Sequence, residues 1–362
     1  MFSSMNLWAK LLMAGAVAFL VSFAMTPPVK SFAEKIGAVD QPSARRINKI
    51  PIPRMGGLAI FLGFVLTVLL FVPLNTQVTG ILLGSVIIAL MGAVDDIVSL
   101  NAWIKLAGQI VAAVVVIRCG VVFSAITNPN PLSQVTTIQI GWLSVPLTIF
   151  WIVACTNAVN LIDGLDGLAV GVSAISSITM LVVSLIVSDP VVSLLLAALT
   201  GACLGFVPYN RNPAKIFMGD VGSQLLGFVL GTVSILGLFK LHAIITFLVP
   251  LLALALPLAD TTFAFFRRIL RGQSPFHPDR DHLHHRLLAL GMSQKQAVAV
   301  MYGISAVLGL TAVLMAGDSP LLRAACLVLG FGISITVWIY VFRRNPKLRM
   351  NHKEAESEEK TD

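Results

Sequence analysis

Apolar residues fill this chain in long stretches, parted by short polar connections. Each stretch is close to the roughly 20 residues a helix needs to cross bilayer hydrocarbon. Eleven stretches are read, at 7–28, 55–73, 78–95, 102–123, 142–160, 167–187, 190–208, 219–238, 242–266, 296–316 and 320–342. The pattern holds no repeat of solenoid length and no stretch polar enough for a soluble domain. It predicts an all-α polytopic membrane protein with about eleven transmembrane helices. Residues 1–342 form one helix-bundle domain, and 343–362 form a charged tail expected to be disordered. The connection 124–141 alternates polar and apolar residues, which predicts a short hairpin.

Composition agrees with this reading. Of 362 residues, 57% are hydrophobic and 12% charged. Soluble globular proteins carry about twice that charged fraction, and the mean hydropathy is +0.89. The net charge of +8 could point to nucleic acid. The basic residues are scattered over short connections, however, so orientation in a membrane accounts for them and no nucleic-acid partner is expected. Cys119, Cys155, Cys203 and Cys326 are isolated and show neither metal spacing nor a disulfide framework.

Charge also sets the topology. The connections 29–54, 96–101, 161–166, 209–218 and 267–295, with the tail, hold nearly all Lys and Arg. Positive connections stay cytoplasmic, so the N-terminus is expected outside and the C-terminus inside. The first stretch follows Lys10 and looks like a signal peptide. The next connection carries Lys30, Lys35, Arg45, Arg46, Lys49 and Arg54, so a retained first span is the better reading.

The acids are few and gathered. Of 17 Asp and Glu, five lie in the last nine residues, and Asp189 and Asp318 fall on the outer side. The others are Glu34, Asp40, Asp95, Asp96, Asp163, Asp166, Asp220, Asp260, Asp279 and Asp281, all expected at the inner face. A carboxylate beside lipid is costly without water, a cation or a ligand. The pattern suggests a cation-assisted reaction at that face.

Five segments carry the candidate chemistry. The densest runs from Asn157 to Gly167 and holds Asn157, Asn160, Asp163 and Asp166, with a glycine after each aspartate. Those glycines would let the backbone approach a ligand closely. Asp95 and Asp96 end the third stretch; adjacent carboxylates ionise together most easily near Mg²⁺ or Mn²⁺. Asp220 opens the eighth stretch between Gly219 and Gly222, after Tyr209-Asn210-Arg211-Asn212-Pro213. It reads equally as a helix cap or as a ligand-facing acid, and the flanking glycines suggest close approach to a phosphate. The first inner connection, with three prolines between Pro42 and Pro53 and the end Arg54-Met55-Gly56-Gly57, is a shaped basic loop. It suits a diphosphate or a phospholipid headgroup.

The connection 267–295 holds Arg280, His282, His284, His285 and Arg286. These make a cationic or proton-handling cluster. Zinc is a rival reading, weakened because no cysteine joins the cluster and helical i, i+4 histidine spacing is missing. Pro278 and Asp279 predict a helix start, Gly291 its end, and Ser293 with Gln296 a capping box for the tenth span. Asp260, near the inner end of the ninth stretch, reads either as a buried polar pairing or as part of the site.

Arg54-Met-Gly-Gly, Asp95-Asp96, Asn160-Leu-Ile-Asp-Gly-Leu-Asp-Gly, Phe217-Met-Gly-Asp220 and His282-Leu-His-His-Arg286 stand here in the order and spacing of a known family. The chain resembles the polyprenyl-phosphate N-acetylhexosamine-1-phosphate transferases over residues 7–342. The stretch His282-Leu-His284-His285-Arg286, where enzymes moving phospho-MurNAc-pentapeptide have Pro-x-His-His-His, is similar to the branch using UDP-GlcNAc. That branch initiates wall teichoic acid, O-antigen or related polymers.

The resemblance implies a Mg²⁺-dependent phosphoglycosyltransferase, with Mn²⁺ as an alternative. It would work on the cytoplasmic face of a bacterial cell membrane. Its partners would be undecaprenyl phosphate, UDP-GlcNAc and the bilayer, with a homodimer allowed. By the same resemblance Asp220 would bind the metal. Asp95 would accept or position the proton of the lipid phosphate, Asp96 would support it or the metal, and Asp163 would complete the acidic site. Asp166, Asn160 and Asn210 would help seat the nucleotide, with Phe217 against the uracil. Lys49, Arg54 and the cluster of His282, His284, His285 and Arg286 would hold phosphates and sugar. Direct attack and a covalent aspartyl intermediate both stay open. The pentapeptide transferase is the nearest alternative. An ion-coupled transporter is a distant one, since it would place acids near the midplane and show an internal repeat.

Overall fold

Polar residues between the apolar stretches act as helix caps. Asn6 accepts from the Ala9 N–H at 2.8 Å and opens α1, Leu7–Lys35. Asn75 and Asn101 do the same for α3, Thr76–Val98, and α4, Ala102–Arg118. Asp189 accepts from Val192 N–H and, with Pro190 in the first turn, opens α7, Pro190–Asn210. Each side-chain acceptor satisfies a donor the helix itself cannot.

The structure, a computed structural model, describes residues 6–41, 50–127, 137–238, 250–270, 282–317 and 332. The remaining described helices are α2, Gly57–Phe71, α5, Ser144–Leu161, α6, Leu168–Ile186, and α8, Gly219–Leu238. They are followed by α9, Ala255–Leu270, the short α10, Leu283–Ala289, and α11, Gln294–Ala316. A helix therefore stands at each of the first ten predicted stretches. The eleventh, 320–342, and the tail lie outside the described residues.

Seven of the described helices are long and apolar enough to cross a membrane. The fold is thus an all-α polytopic membrane bundle. The three helices at predicted spans that fall short are α2 with 15 residues, α9 with 16 and α4 with 17. The predicted hairpin is present: β3, Ala125–Thr127, pairs antiparallel with β4, Thr137–Gln139. In the first inner connection β1, Val39–Asp40, pairs with β2, Ile52–Pro53.

One boundary differs from the pattern. The first span was expected to stop at residue 28, where Pro27 and Pro28 withdraw two N–H donors. Instead α1 continues to Lys35. Its buried stripe of Ala14, Ala18, Ser22, Thr26, Val29 and Ala33 runs straight past the prolines, whose rings lie on the exposed face. Packing on α7 and α2 thereby overrides the local break.

Helix α8 is the axis of the bundle. It packs against α3, α5, α6 and α2, and Leu225, Leu226, Phe228, Val229, Leu230 and Val233 are fully enclosed. Between helices in lipid, close van der Waals packing rather than water exclusion supplies the attraction. At the start of α8 a Cβ on Gly57 would run into the backbone of Gly222, so these two glycines let α2 and α8 meet at backbone distance. Successive helices alternate in direction. The ends of α1, α3, α5 and α7 and the starts of α2, α4, α6 and α8 therefore share one end of the bundle, and the candidate residues lie there.

Candidate active site

At that end a cleft of about 460 Å³ opens among the helices. This volume suits a small ligand. Arg54, Lys105, Asn160, Asp163, Asp166, Asn210, Phe217, Asp220 and His285 line it, with Asp40, Gly164, Leu165, Gly219, Ser223 and Gln294. The wall draws on four of the five motif segments and on Lys105 of α4, which belongs to none of them. Lys49, Arg280, Asp279 and Asp281 lie outside the described residues.

The paired aspartates part company. Asp95 turns one oxygen to the Leu100 N–H at 2.7 Å and the other to Lys105 Nζ at 2.8 Å. The Asp96 oxygens accept from the Asp220 N–H at 2.9 Å and the Val221 N–H at 3.3 Å, the free donors at the start of α8. The carboxylate that caps α8 is therefore Asp96 of α3, and not Asp220. Neither Asp95 nor Asp96 lines the cleft. Of the three residues expected at a metal, only Asp220 does.

Two cations bind this acidic floor together. Arg54 lies 3.5 Å from Asp96 and 3.7 Å from Asp220. Lys105 lies 3.9 Å from Asp220 as well as beside Asp95. Lys105 belongs to none of the motifs, although a lone Lys one turn inside an apolar stretch is a visible signal. Behind it, Gln109 bonds Asn157 and Gln224, and Gln224 reaches Asp220 at 3.4 Å. Asn160 donates to Asp220 at 2.6 Å and to Ser223 at 2.7 Å. Asn157 thus supports the site from behind, whereas Asn160 is in its wall.

The glycines near the acids have protein neighbours. Gly219 has φ 71°, and a Cβ there would strike the Asp96 carboxylate. Gly222 faces Gly57 and Met218. These two glycines let α2, α3 and α8 close on one another, and Gly219 also lines the cleft. Three backbone bonds complete that junction: Gly56 N–H to Phe217 at 2.9 Å, Gly57 N–H to Met218 at 2.8 Å, and Phe217 N–H to Pro53 at 2.8 Å. Arg54-Met-Gly-Gly and Phe-Met-Gly-Asp are thus two halves of one packed joint.

The loop after α5 forms the opposite wall. Burial pushes the Asp163 carboxyl up to about 8, and the nearby Asp220 and Asp96 charges add to the effect. Asp166 accepts from Asn212 at 2.9 Å and from the Ala214 N–H at 3.1 Å. Asn212 in turn reaches Gln294 at the start of α11. The Asn210 amide is held by the Gly167 N–H at 3.1 Å and the Ile216 carbonyl at 3.0 Å, so it shapes the wall from within.

Of the three histidines, only His285 lines the cleft. His282 pairs with Asp260, 2.9 Å away. His284 is 1% exposed and packs its ring on Gly164, where a Cβ would collide with it. Neither of its ring nitrogens has a hydrogen-bond partner among the described residues, and burial, with His285 beside it, lowers its pKa to about 3. Arg286 is half-buried and is not part of the cleft lining. Gly291 (φ 87°) ends α10, and the Ser293–Gln296 capping box opens α11, both as predicted.

The donors facing the cleft are hard oxygens, chiefly Asp220 and Asp163, and at Asp163 the charges of Asp220, Asp96 and Asp166 act against that of Arg54. Among the described residues no three carboxylates, imidazoles or thiolates form a ready cation cage. Mg²⁺ is commonly held by one or two carboxylates together with substrate phosphates, and this donor set fits that mode.

Comparison with known proteins agrees with the geometry. The sequence model of glycosyl transferase family 4 matches residues 78–238, which include most of the cleft. A probable undecaprenyl-phosphate N-acetylglucosaminyl 1-phosphate transferase of Bacillus subtilis is 41% identical over 84% of this chain and 85% of its own length. A decaprenyl-phosphate N-acetylglucosaminephosphotransferase of Mycobacterium tuberculosis is 36% identical over 81% of this chain and 79% of its own. A phospho-N-acetylmuramoyl-pentapeptide-transferase of a Thermoanaerobacter species is 35% identical over 63% and 75%.

Proposed function

The chain belongs to glycosyl transferase family 4, and on that premise we propose that it transfers N-acetylglucosamine 1-phosphate from UDP-GlcNAc to undecaprenyl phosphate. The products are undecaprenyl-diphosphate-GlcNAc and UMP, and the step opens assembly of a cell-envelope polymer such as wall teichoic acid. The choice of sugar and carrier rests on the Bacillus subtilis relative, matched along most of both chains. The single structural observation behind the reading is the meeting of Arg54, Lys105, Asp163 and Asp220 on one cleft at the end of a membrane bundle. A lipid substrate needs a site at a membrane, and a nucleotide sugar needs one open to water. The basic connections support a cytoplasmic position for that end, and the bacterial relatives support a bacterial cell membrane.

An oxygen of the lipid phosphate attacks the phosphorus bearing the sugar. The bond from that phosphorus to the bridging oxygen breaks, and its electron pair leaves with UMP. Both reactants are anions, so the barrier is largely one of charge. Arg54 and Lys105 supply positive charge at the cleft, and Asp95 and Asp96 hold those cations in place from behind. Asp220 and Asp163 would hold Mg²⁺, with Mn²⁺ as an alternative. When bound, the ion neutralises the diphosphate and the departing UMP. Asp166 and Phe217 line the part of the cleft proposed for the nucleotide, and His285 the part for the sugar phosphate.

The test supplies purified protein, Mg²⁺ and undecaprenyl phosphate with either UDP-GlcNAc or UDP-MurNAc-pentapeptide, and weighs the lipid product by mass spectrometry. The GlcNAc diphospholipid is expected. Product from the pentapeptide donor alone would replace this reading with that of the pentapeptide transferase.

A further inference from the structure

Asp260 lies outside the cleft, yet it grips the segment that delivers His285 to it. Its side chain is 8% exposed. One oxygen accepts from the Leu283 N–H at 2.8 Å, at the first residue of α10. The other lies 2.9 Å from His282 Nδ1. The seven-residue α10 is too short to persist alone, and His282 in its cap position offers no side-chain cap of its own. The missing cap is supplied by α9. From His282 the contact passes along a row of rings. His282 stacks parallel to His284 at 5.8 Å, and His284 meets His285 at 4.3 Å.

The base of this arm is also fixed. Pro257 has no N–H for the Ala253 carbonyl four residues before it. Ser176 of α6 donates to that carbonyl at 2.6 Å, so α9 leaves its break held against the bundle.

We propose that Asp260 is a positioning residue for the transfer reaction. Its carboxylate pins the start of α10 and holds His282 with a proton on Nδ1, and through the His282–His284–His285 row it sets where His285 stands in the cleft. This rests on the cleft being the transfer site. A carboxylate can only accept, so it fixes which imidazole nitrogen carries the hydrogen.

Two variants separate the cap from the histidine bond. Asp260→Ala removes both. Asp260→Asn keeps an oxygen for the Leu283 N–H but turns an NH₂ toward His282, which must then shift its proton to Nε2. Asp260→Ala is expected to lower kcat/KM for UDP-GlcNAc about 100-fold, the scale of a small misplacement in a reacting site. The KM for undecaprenyl phosphate should not move. Asp260→Asn should lose a similar factor while melting near wild type. In ¹⁵N-histidine NMR, with His282→Gln as the assignment control, the proton should sit on Nδ1 in wild type and on Nε2 in Asp260→Asn.

Wild-type kinetics in either variant, or a loss no larger than the loss of folded protein, overturns the proposal. If wild type itself transfers nothing, the reading of the cleft fails instead. The NMR arm then decides: a proton switch supports the Asp260 grip, and no switch overturns it.

Discussion

Asp95 and Asp96 are neighbours in sequence with different partners in space. Asp96, its side chain fully enclosed, caps α8 from α3 and meets Arg54. Asp96→Ala should therefore lower thermal stability in detergent by about 2 kcal/mol. Asp96→Asn, still able to cap, should stay within about 1 kcal/mol of wild type. Asp220 faces the cleft. Asp220→Ala should cut Mg²⁺-dependent UMP release about 1000-fold or more, while its melting temperature stays near that of wild type. His284 gives the pH dependence. Its folded pKa, about 3, lies below its ordinary value of 6.5. Between those values the unfolded chain binds the extra proton, so stability falls as pH drops below about 6.5. At pH 5 the loss is about 2 kcal/mol. Thermal melts of wild type and His284→Gln from pH 7 to 5 check this, because the variant should lack that slope. The acids were legible in the sequence because acids are scarce in this chain. Their division of labour was not, because neighbours in sequence can serve different helices.

At the scale of elements, the pattern located the helices and misplaced mainly what packing decides. Pro27 and Pro28 looked like an end, and only the stripe that α7 covers shows why α1 continues. Lys105 and Gln109 lie in no motif, yet spacing of i, i+4 puts both on one face of α4, toward Asp95 and α8. The motif glycines also make room for protein neighbours, and sequence cannot say which neighbour fills the space. Gly164 is the sharpest case, because His284 lies on it. Gly164→Ala should destabilise the protein by about 1–3 kcal/mol through overpacking and lower transfer activity. In the double variant with His284→Ala the stability loss should be less than the sum of the two, since the clash is gone. Full additivity in the melting data would argue that the contact does not form.

For the whole molecule, composition alone settled the membrane class, and the alternation of helix ends explains why distant motifs meet. Trp8 and Trp142, 65% and 82% exposed, stand at the end opposite the cleft, and Trp103, 65% exposed, stands at the cleft end. Such exposed indoles suit the two membrane interfaces. Among the described residues the acids other than Asp189 gather at one end of the bundle, against the midplane placement that an ion-coupled transporter would need. The central claim is that this cleft moves a sugar together with its phosphate. The most direct measurement uses UDP-GlcNAc carrying ³²P at the phosphorus next to the sugar, with undecaprenyl phosphate and Mg²⁺. The account predicts label in the lipid fraction and release of UMP. Label kept in water-soluble UDP, or label-free glycolipid, would contradict it.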